Sequence, residues 1–323
     1  MRTAICCIAK CENNYLKEWV DYHLDLGFSH IYIWDNNNVD GERIEPLFEG
    51  EEMVTILDCR GEKAFQNKAY TVFYKQYGSQ YDWIAFIDVD EFITFAEGSG
   101  LKTIDGFLGR FDDGVEIVHL NWMCFGDSGI VDLDDNYSVL DRFVSPLDFD
   151  KPVQYDFPEN NHVKSIIRGG IDIGDTMITV HSPKGRNYVI ADASGNMCAN
   201  EYFKPYDFSV AYIRHFVTKT IYEWLLKITR GQATVHASSE LYPIEKFFLY
   251  NERTAEKEKV IKDYLLFKMA IEQSVATDLA ICRSEKQALG DELGALLVRY
   301  DSIIQSKSYR IGKILTGIFK KRL

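Results

Sequence analysis

The 323-residue chain lacks several features that mark large classes of protein. It has no run of about eighteen apolar residues, the length that a membrane-spanning helix needs. Its amino terminus lacks the long apolar stretch and the small-residue cleavage pattern of a signal peptide, so we expect a cytoplasmic protein. It also lacks an excess of basic residues: the net charge is -13, which argues against a nucleic-acid partner.

Cysteine is present at seven positions, but not in an arrangement typical of a metal site. Three cysteines, Cys6, Cys7 and Cys11, lie close together near the amino terminus. No pair has CxxC spacing, and none has the spacing to histidine that zinc sites show. An odd count suits a reducing compartment. We therefore expect buried free thiols rather than a zinc site.

The pattern of apolar residues indicates an α/β protein. Over the first hundred residues, buried apolar runs alternate with amphipathic stretches, as in βαβ units with a largely parallel sheet. From about 115 to 189 the strands become shorter, and beyond Tyr222 the sequence is helical. We predict a first domain over 1–240 and a helical segment over 241–323. Strands are predicted at 4–9, 31–34, 54–57 and 83–87, and helices at 16–24 and 64–77.

The last eighteen residues, 306–323, carry six basic and no acidic side chains. Apolar residues at 311, 314, 315, 318 and 319 fall at helical spacing. This pattern is typical of a basic amphipathic helix that lies on an anionic membrane surface. A helix docked on the rest of the protein is the alternative. The membrane interpretation adds a peripheral location on the inner face of the plasma membrane.

The strongest local signal is the segment WIAFIDVDEF at 83–92, in which a buried strand is followed by Asp88 and Asp90. Side chains at the carboxyl end of such a strand reach a ligand crevice. Alternate residues of an extended segment share a face, so both carboxylates are expected to reach one divalent cation, Mn²⁺ or Mg²⁺. A solvated turn or a helix cap is the alternative, because a DxD sequence alone is a weak motif.

Four sequence blocks, in this order, resemble bacterial glycosyltransferases of family 2 and family 92. The first two are CENNYLKEWVDYHLDLGFSHIYIWDNNNVD and QYDWIAFIDVDEF. The third runs from Asn121 to Gly129, and the fourth begins at His215 and continues to Gly231. Phe216 and Thr220 depart from the family pattern, which has Tyr and Ser there. The resemblance implies a GT-A fold, with its Rossmann-like nucleotide-sugar domain, and transfer of a sugar from a nucleotide-sugar donor, with UDP-galactose as the family-based guess.

The resemblance also implies roles for individual residues. Its ligands for the metal would be Asp88, Asp90 and His215, with a packed histidine as the alternative for His215. The acceptor, a saccharide or a glycolipid, would contact Trp122, Phe125 and Gly126, although aromatic residues in strands are more often core. Nucleotide-sugar binding is implied for Ala9, Glu12, Asp35, Lys68, Asp88, Lys219, Lys227 and Arg230.

Some of these roles have structural alternatives. Asp35 could grip the nucleotide base or simply cap the asparagine-rich turn that follows it. Lys219, Lys227 and Arg230 could hold the diphosphate or be solvated helix charges. For an inverting reaction, the catalytic base remains open among Asp127, His181 and Glu201, of which Asp127 and His181 are preferred. A retaining reaction would need no such base.

Two other classes of protein share parts of this pattern. A DxD sequence after an apolar strand also occurs in aspartate phosphatases and phosphomutases, where the first aspartate is a nucleophile. Their usual Thr or Val is Phe92 here, and their motif lies near the amino terminus. A GT-A scaffold without activity is the second alternative. We expect the enzyme, acting in cell-surface polysaccharide or lipopolysaccharide synthesis.

Overall fold

The structure, a computed structural model, describes residues 1–130, 137–148, 161–198, 206–230 and 244–251, without the side chains of 229–230 and 244–245. These residues all lie within one compact unit, Met1–Ala255. Glu201, the basic tail at 306–323 and most of the helical segment predicted at 241–323 lie outside the described residues. The domain boundary at 240 therefore stays a prediction. No helix within the described ranges has the length and apolarity to cross a membrane.

Ten strands and six α-helices occur in the described part of the chain, with short 3-10 turns at Glu45–Phe48, Gly78–Gln80 and Glu97–Ser99. The strands are β1 (Thr3–Ala9), β2 (His30–Asp35), β3 (Val54–Asp58), β4 (Trp83–Phe86), β5 (Glu91–Phe95), β6 (Ile117–Cys124), β7 (Val163–Arg168), β8 (Ile190–Asp192), β9 (Met197–Cys198) and β10 (Ala211–His215). The helices are α1 (Asn13–Asp25), α2 (Gln66–Tyr77), α3 (Ile104–Leu108), α4 (Val139–Arg142), α5 (Ile221–Arg230) and α6 (Ile244–Asn251).

All these strands form a single sheet, in the order β3-β2-β1-β4-β7-β6-β10-β5, with β8 and β9 attached beside β6. β3, β2, β1 and β4 are parallel, as the βαβ pattern predicts. β7 is antiparallel to β4 and β6, and β5 is antiparallel to β10. The predicted α/β class is confirmed by this topology. Because β1 is buried at every position, it forms the centre of the parallel half.

Helix α1 covers the outer edge of β5 with polar side chains as well as apolar ones. The indole N–H of Trp19 donates to the Glu91 carbonyl at 2.7 Å, and the Tyr22 hydroxyl donates to the Ile93 carbonyl at 2.9 Å. The Ile93 N–H donates to Nε2 of His23. An exposed strand edge presents unpaired backbone groups that invite aggregation, and here the helix satisfies them. The helix ends before Gly27, whose φ of +102° is the left-handed conformation that glycine favours.

Candidate active site

One edge of the sheet gathers most of the polar side chains that the sequence analysis selected. β1, β2, β4, β6 and β10 all run in the same direction, so their carboxyl ends meet at this edge. The antiparallel strands β5 and β7 begin there. Asp35, Asp88 and His215 lie at or just beyond strand ends, and Glu91 and Lys164 lie at strand beginnings. Topology alone therefore brings these residues together.

The pairing of β5 with β10 creates a cluster of possible metal ligands. Glu91 lies directly opposite His215 in the antiparallel register, so the two side chains share a face of the sheet. The Phe216 N–H donates to the Asp90 carbonyl, which holds Asp90 beside them. One ligand atom from each of Asp90, Glu91 and His215 lies within 4.8 Å of the others, and all three residues are buried. Glu91 was not among the residues predicted from the sequence.

Asp88 points to different partners. Residues 89–90 form a turn between β4 and β5, closed by a hydrogen bond from the Glu91 N–H to the Asp88 carbonyl, where the sequence analysis expected an extended segment. The role of Asp88 as a metal ligand stays a prediction. Gln66 and Tyr70, both on α2, donate to Oδ1 of Asp88 at 2.6 and 3.2 Å. The Lys164 ammonium donates to Oδ2 at 2.7 Å. Asp88 is therefore anchored by three donors in this structure.

Lys164 compensates the buried negative charge on that side of the cluster. Its ammonium lies 3.3 Å from Oε2 of Glu91 as well as beside Asp88, and its side chain is only 1% exposed. Burial alone would lower the pKa of Lys164, but the two carboxylates raise it above its ordinary value. Burial raises the pKa of Glu91, and Lys164 opposes that shift. Sequence reasoning missed Lys164 because β7 meets β4 only through the sheet topology.

The pKa values of the other two residues of the cluster, Asp90 and His215, are shifted in the directions that suit a metal ligand. Burial would raise the pKa of Asp90, but Lys227, His215 and Lys219 together hold it well below its usual range. Burial lowers the pKa of His215 to about 3, with Asp90 acting in the opposite direction. Asp90 is therefore ionised and the His215 imidazole is neutral near pH 7, which are the forms that coordinate a divalent ion.

The geometry of the cluster fits such an ion. Oδ1 of Asp90 and Nε2 of His215 lie 3.8 Å apart, too far for a hydrogen bond. Ligand atoms sit roughly 2.1 Å from a small divalent ion, so two ligands can flank one ion at that separation. Oε1 of Glu91 is buried and has no hydrogen-bond partner among the residues that the structure describes. Carboxylate and imidazole ligands together suit Mn²⁺, and the residues present therefore fit the implied metal.

A cleft beside the cluster lies where the amino-terminal ends of two helices meet. It is lined by Cys11, Glu12 and Tyr15 from the start of α1, by residues 216–219, and by three side chains of α5 together with Asp90. The Lys219 ammonium donates to Oε2 of Glu12 at 3.2 Å and lies 3.6 Å from the centre of the Tyr15 ring. Helix amino termini and ammonium groups both favour an anion, so the cleft suits a phosphate-bearing ligand.

Two of the four non-glycine residues that have a positive φ in the described part of the chain line this cleft. Cys11 and Lys219 both have left-handed backbone conformations, with φ of +54° and +53°. Non-glycine residues adopt this conformation at some cost, and such strain is often found at ligand sites. The conformation of Lys219 is held by the capping box that follows it. Thr220 and Glu223 bond to each other's backbone N–H at the start of α5, at 2.9 and 3.2 Å.

Glu223 also forms a buried ion pair with Arg142. Both terminal nitrogens of Arg142, on α4, donate to its carboxylate, at 2.9 and 3.1 Å. The Tyr15 hydroxyl donates to the same carboxylate at 2.5 Å. Burial would raise the pKa of Glu223, but Arg142 and Lys219 lower it below its ordinary value. This carboxylate therefore joins α1, α4 and α5 around the cleft.

Of the other predicted nucleotide-binding residues, Asp35 is buried, and both its oxygens accept backbone N–H groups, from Asn37 and Ile44. It thus organises the loop after β2. Ala9 is buried at the end of β1, beside Asp35 in the sheet. Lys68 is exposed on α2, with its ammonium 4.9 Å from the centre of the Phe65 ring. Arg230 ends α5, and its side chain lies outside the described residues.

The predicted acceptor-binding residues Trp122, Phe125 and Gly126 are all buried. The Trp122 ring lies between two histidine rings, with centroids 5.1 Å from His162 and 4.3 Å from His215. Its indole N–H is buried, with no hydrogen-bond partner in the described part of the chain. Phe125 packs on Phe216. Neither aromatic ring presents an open face at the surface.

The two preferred base candidates have different surroundings. Asp127 is buried, and its Oδ1 accepts the Gly129 N–H, while its own N–H donates to Asn251 of α6. His181 is half-buried, and its Nδ1 lies 3.0 Å from the Val163 carbonyl. A carbonyl only accepts, so Nδ1 carries the proton and Nε2 carries the lone pair in the neutral ring. The His181 ring lies 5.3 Å from that of Trp122, which in turn packs on the candidate ligand His215.

Sequence comparison finds relatives for part of the chain. A glycosyltransferase family 92 protein of Ricinus communis is 31% identical over 130 residues, which are 39% of this chain and 23% of that protein. A glycosyltransferase family 92 protein of Oryza sativa subsp. japonica is 28% identical over 129 residues, 39% of this chain and 21% of that protein. The chain thus spans less than a quarter of the length of these relatives. No protein-family profile matches it.

These matches confirm similarity to family 92 over part of the chain, whereas the resemblance to family 2 and the bacterial origin stay predictions. Solved structures also show partial likeness. Residues 1–349 of TarS from S. aureus align with a TM-score of 0.31 at 14% identity, over 41% of this chain and 39% of that fragment. HddC of Yersinia pseudotuberculosis aligns with a TM-score of 0.26 at 12% identity, over 53% of this chain and 75% of HddC. Scores this low carry no inference about function.

Proposed function

We propose that this protein is a GT-A glycosyltransferase that moves a sugar from a nucleotide-sugar, of the UDP-sugar class, to a saccharide or lipid-linked saccharide. One observation carries the proposal. A neutral histidine and two carboxylates that fit a divalent ion, His215, Asp90 and Glu91, lie beside a cleft that has two lysines and two helix amino termini. The similarity to proteins named glycosyltransferase family 92 supports the same reaction.

The choice of donor rests on the metal ligands and on the two lysines of the cleft, which also contains the carboxylates of Glu12, Asp90 and Glu223. A nucleoside diphosphate leaving group is strongly anionic, and it needs compensation where the bond to the sugar breaks. Mn²⁺ or Mg²⁺ would be held by Asp90, Glu91 and His215, and would supply Lewis-acid stabilisation of the leaving diphosphate. Lys219, just before α5, and Lys227, in the second half of α5, add positive charge to the same cleft. Asp88, anchored by Lys164, would support this ligand set from behind.

For the acceptor side we propose an inverting reaction in which His181 takes the proton of the acceptor hydroxyl. The hydrogen bond of Nδ1 to Val163 fixes the tautomer in which Nε2 is basic. Asp127 is the less favoured candidate, because Oδ1 already caps a turn. The pathway, cell-surface polysaccharide or lipopolysaccharide synthesis, and attachment to the membrane through 306–323 are parts of the same proposal.

The first experiment is a thermal-shift screen of UDP-, GDP-, CMP- and dTDP-sugars, with and without Mn²⁺, on wild type, Asp90→Asn and Asp21→Asn. Asp21 is an exposed carboxylate on α1 and serves as the matched control. We expect a UDP-sugar to raise Tm only with Mn²⁺, and EDTA to reverse the effect. Asp90→Asn should lose the shift, and Asp21→Asn should keep it.

Turnover then separates the transferase from its alternatives. Release of UDP from the stabilising donor, measured with a saccharide acceptor, should depend on Asp90 and on the metal. Binding without turnover for any acceptor would favour the inactive scaffold. If no nucleotide shifts Tm in any condition, the nucleotide-sugar assignment is wrong.

A further inference from the structure

Lys227 and the metal cluster share one carboxylate. The Lys227 ammonium donates to Oδ2 of Asp90 at 3.0 Å and to the Val217 carbonyl at 3.3 Å. The other oxygen, Oδ1 of Asp90, faces His215. The side chains of both partners are largely buried, 16% exposed for the lysine and 10% for the aspartate. A protein cation thus lies directly beside the position that the metal would take.

The Lys227 ammonium and a metal ion bound to the same buried carboxylate, that of Asp90, would repel each other. Removing charges from water is costly, and a buried carboxylate is stable only with a compensating partner. Lys227 provides that compensation while no metal is bound, so a metal that coordinates Asp90 must repel or displace it. Lys164 also lies beside a proposed ligand, at 3.3 Å from Oε2 of Glu91, but it is held at the same time by Asp88, at 2.7 Å.

We propose that Lys227 is an internal cation that exchanges partners: it holds Asp90 in the empty enzyme, and it moves to the donor diphosphate when the metal takes its place. This inference rests on the proposed function and specifies how its site is regulated. Lys227 lies on the same cleft as Lys219, so the ammonium reaches a phosphate there by rotation of its own side chain.

The exchange couples the two ligands. Metal binding releases the Lys227 ammonium for the diphosphate, and a bound diphosphate withdraws that ammonium from Asp90. Each ligand therefore strengthens the binding of the other, and linkage requires the same factor in both directions. Without metal or donor, Lys227 neutralises Asp90, and the site therefore binds the metal less tightly when no nucleotide is present.

The test measures Mn²⁺ affinity without nucleotide, by isothermal titration calorimetry and by electron paramagnetic resonance of the free ion. Lys227→Met should bind Mn²⁺ about tenfold more tightly than wild type, because Asp90 loses its competing cation. Lys227→Arg keeps the charge and should remain close to wild type. Lys17→Met, which removes an exposed charge on α1, controls for the change in net charge. Thermal melts check folding, and Lys227→Gln is a second neutral variant.

UDP affinity in saturating Mn²⁺, measured on the same variants, completes the test. Tighter Mn²⁺ binding together with at least about tenfold weaker UDP binding in Lys227→Met and Lys227→Gln supports the exchange. Unchanged or weaker Mn²⁺ binding in both neutral variants overturns it, even if UDP binds and the transferase assignment stands. If the neutral variants bind Mn²⁺ more tightly but no variant, wild type included, binds UDP, then Lys227 and the metal do compete for Asp90. That result would overturn the movement of Lys227 to a diphosphate, and the proposed donor as well.

Discussion

The buried pair of Arg142 and Glu223 provides the sharpest test of how the walls of the cleft are held. Replacing Glu223 with Gln keeps the shape of the side chain and removes its charge. One carboxylate oxygen becomes a donor, so two or three of the five hydrogen bonds from Tyr15, Arg142 and Thr220 are lost. The Arg142 guanidinium is left in a buried position without its counter-charge, and its side chain is only 5% exposed.

Breaking one side of a buried ion pair costs about 3–5 kcal/mol, and we expect the free energy of unfolding of Glu223→Gln to fall by that amount. Urea unfolding followed by tryptophan fluorescence measures it from the midpoint and the slope. The exposed pair of Lys17 and Asp21 is the matched control, for which Asp21→Asn should cost less than about 0.5 kcal/mol. The double variant Arg142→Met/Glu223→Gln should be more stable than Glu223→Gln alone, since no uncompensated charge remains.

A loss below about 1 kcal/mol in Glu223→Gln, with an unchanged slope, would refute this reasoning. It would mean that water reaches Arg142 in the folded protein and that the carboxylate does not organise the cleft.

Two further predictions concern residues away from the cleft. Burial lowers the pKa of His23 to about 3, whereas the pKa of histidine in the unfolded chain is about 6.5. As the pH falls, His23 is therefore protonated first in the unfolded chain, and the free energy of unfolding decreases from about pH 6.5 towards pH 3. The variant His23→Gln, which does not titrate, should lose less of its unfolding free energy between pH 7 and pH 4 than wild type, by urea titrations at each pH. A Cβ at Gly169 would lie 1.7 Å from the Tyr81 carbonyl oxygen, so Gly169→Ala should lower the free energy of unfolding by more than about 2 kcal/mol. Gly98→Ala is the control, because a Cβ there would have nothing within 4 Å. Equal Tm values for the two variants would contradict the close approach at Gly169.

The parallel half of the sheet could be predicted from the sequence because each element there is marked by local patterns. The predicted strands at 4–9, 31–34, 54–57 and 83–87 match β1 to β4 within two residues. Asp88 was found for the same reason, since it follows a buried strand. Periodicity and turn residues report only on neighbours along the chain, and these elements are connected by short segments.

The residues around the candidate metal ligands could not all be found in this way. Glu91 lies opposite His215 because of the register between β5 and β10. Lys164, on β7, reaches Asp88 because β7 pairs with β4, which ends just before Asp88. Both pairings join residues far apart in the sequence, and no local pattern encodes them. Likewise, the turn at 89–90 could not be told from an extended segment, because the same residues suit both conformations.

The position of β10 has a consequence for synthesis on the ribosome. β10 lies between β6 and β5, although both of these neighbours leave the ribosome well before it. Until residue 215 emerges, the nascent chain has two unsatisfied strand edges facing each other, and α1 protects only the far side of β5. Pairings between distant segments form slowly, so this gap is where a nascent or destabilised chain is most exposed to chaperones and to aggregation. Any product truncated before His215 would lack one of the three proposed metal ligands.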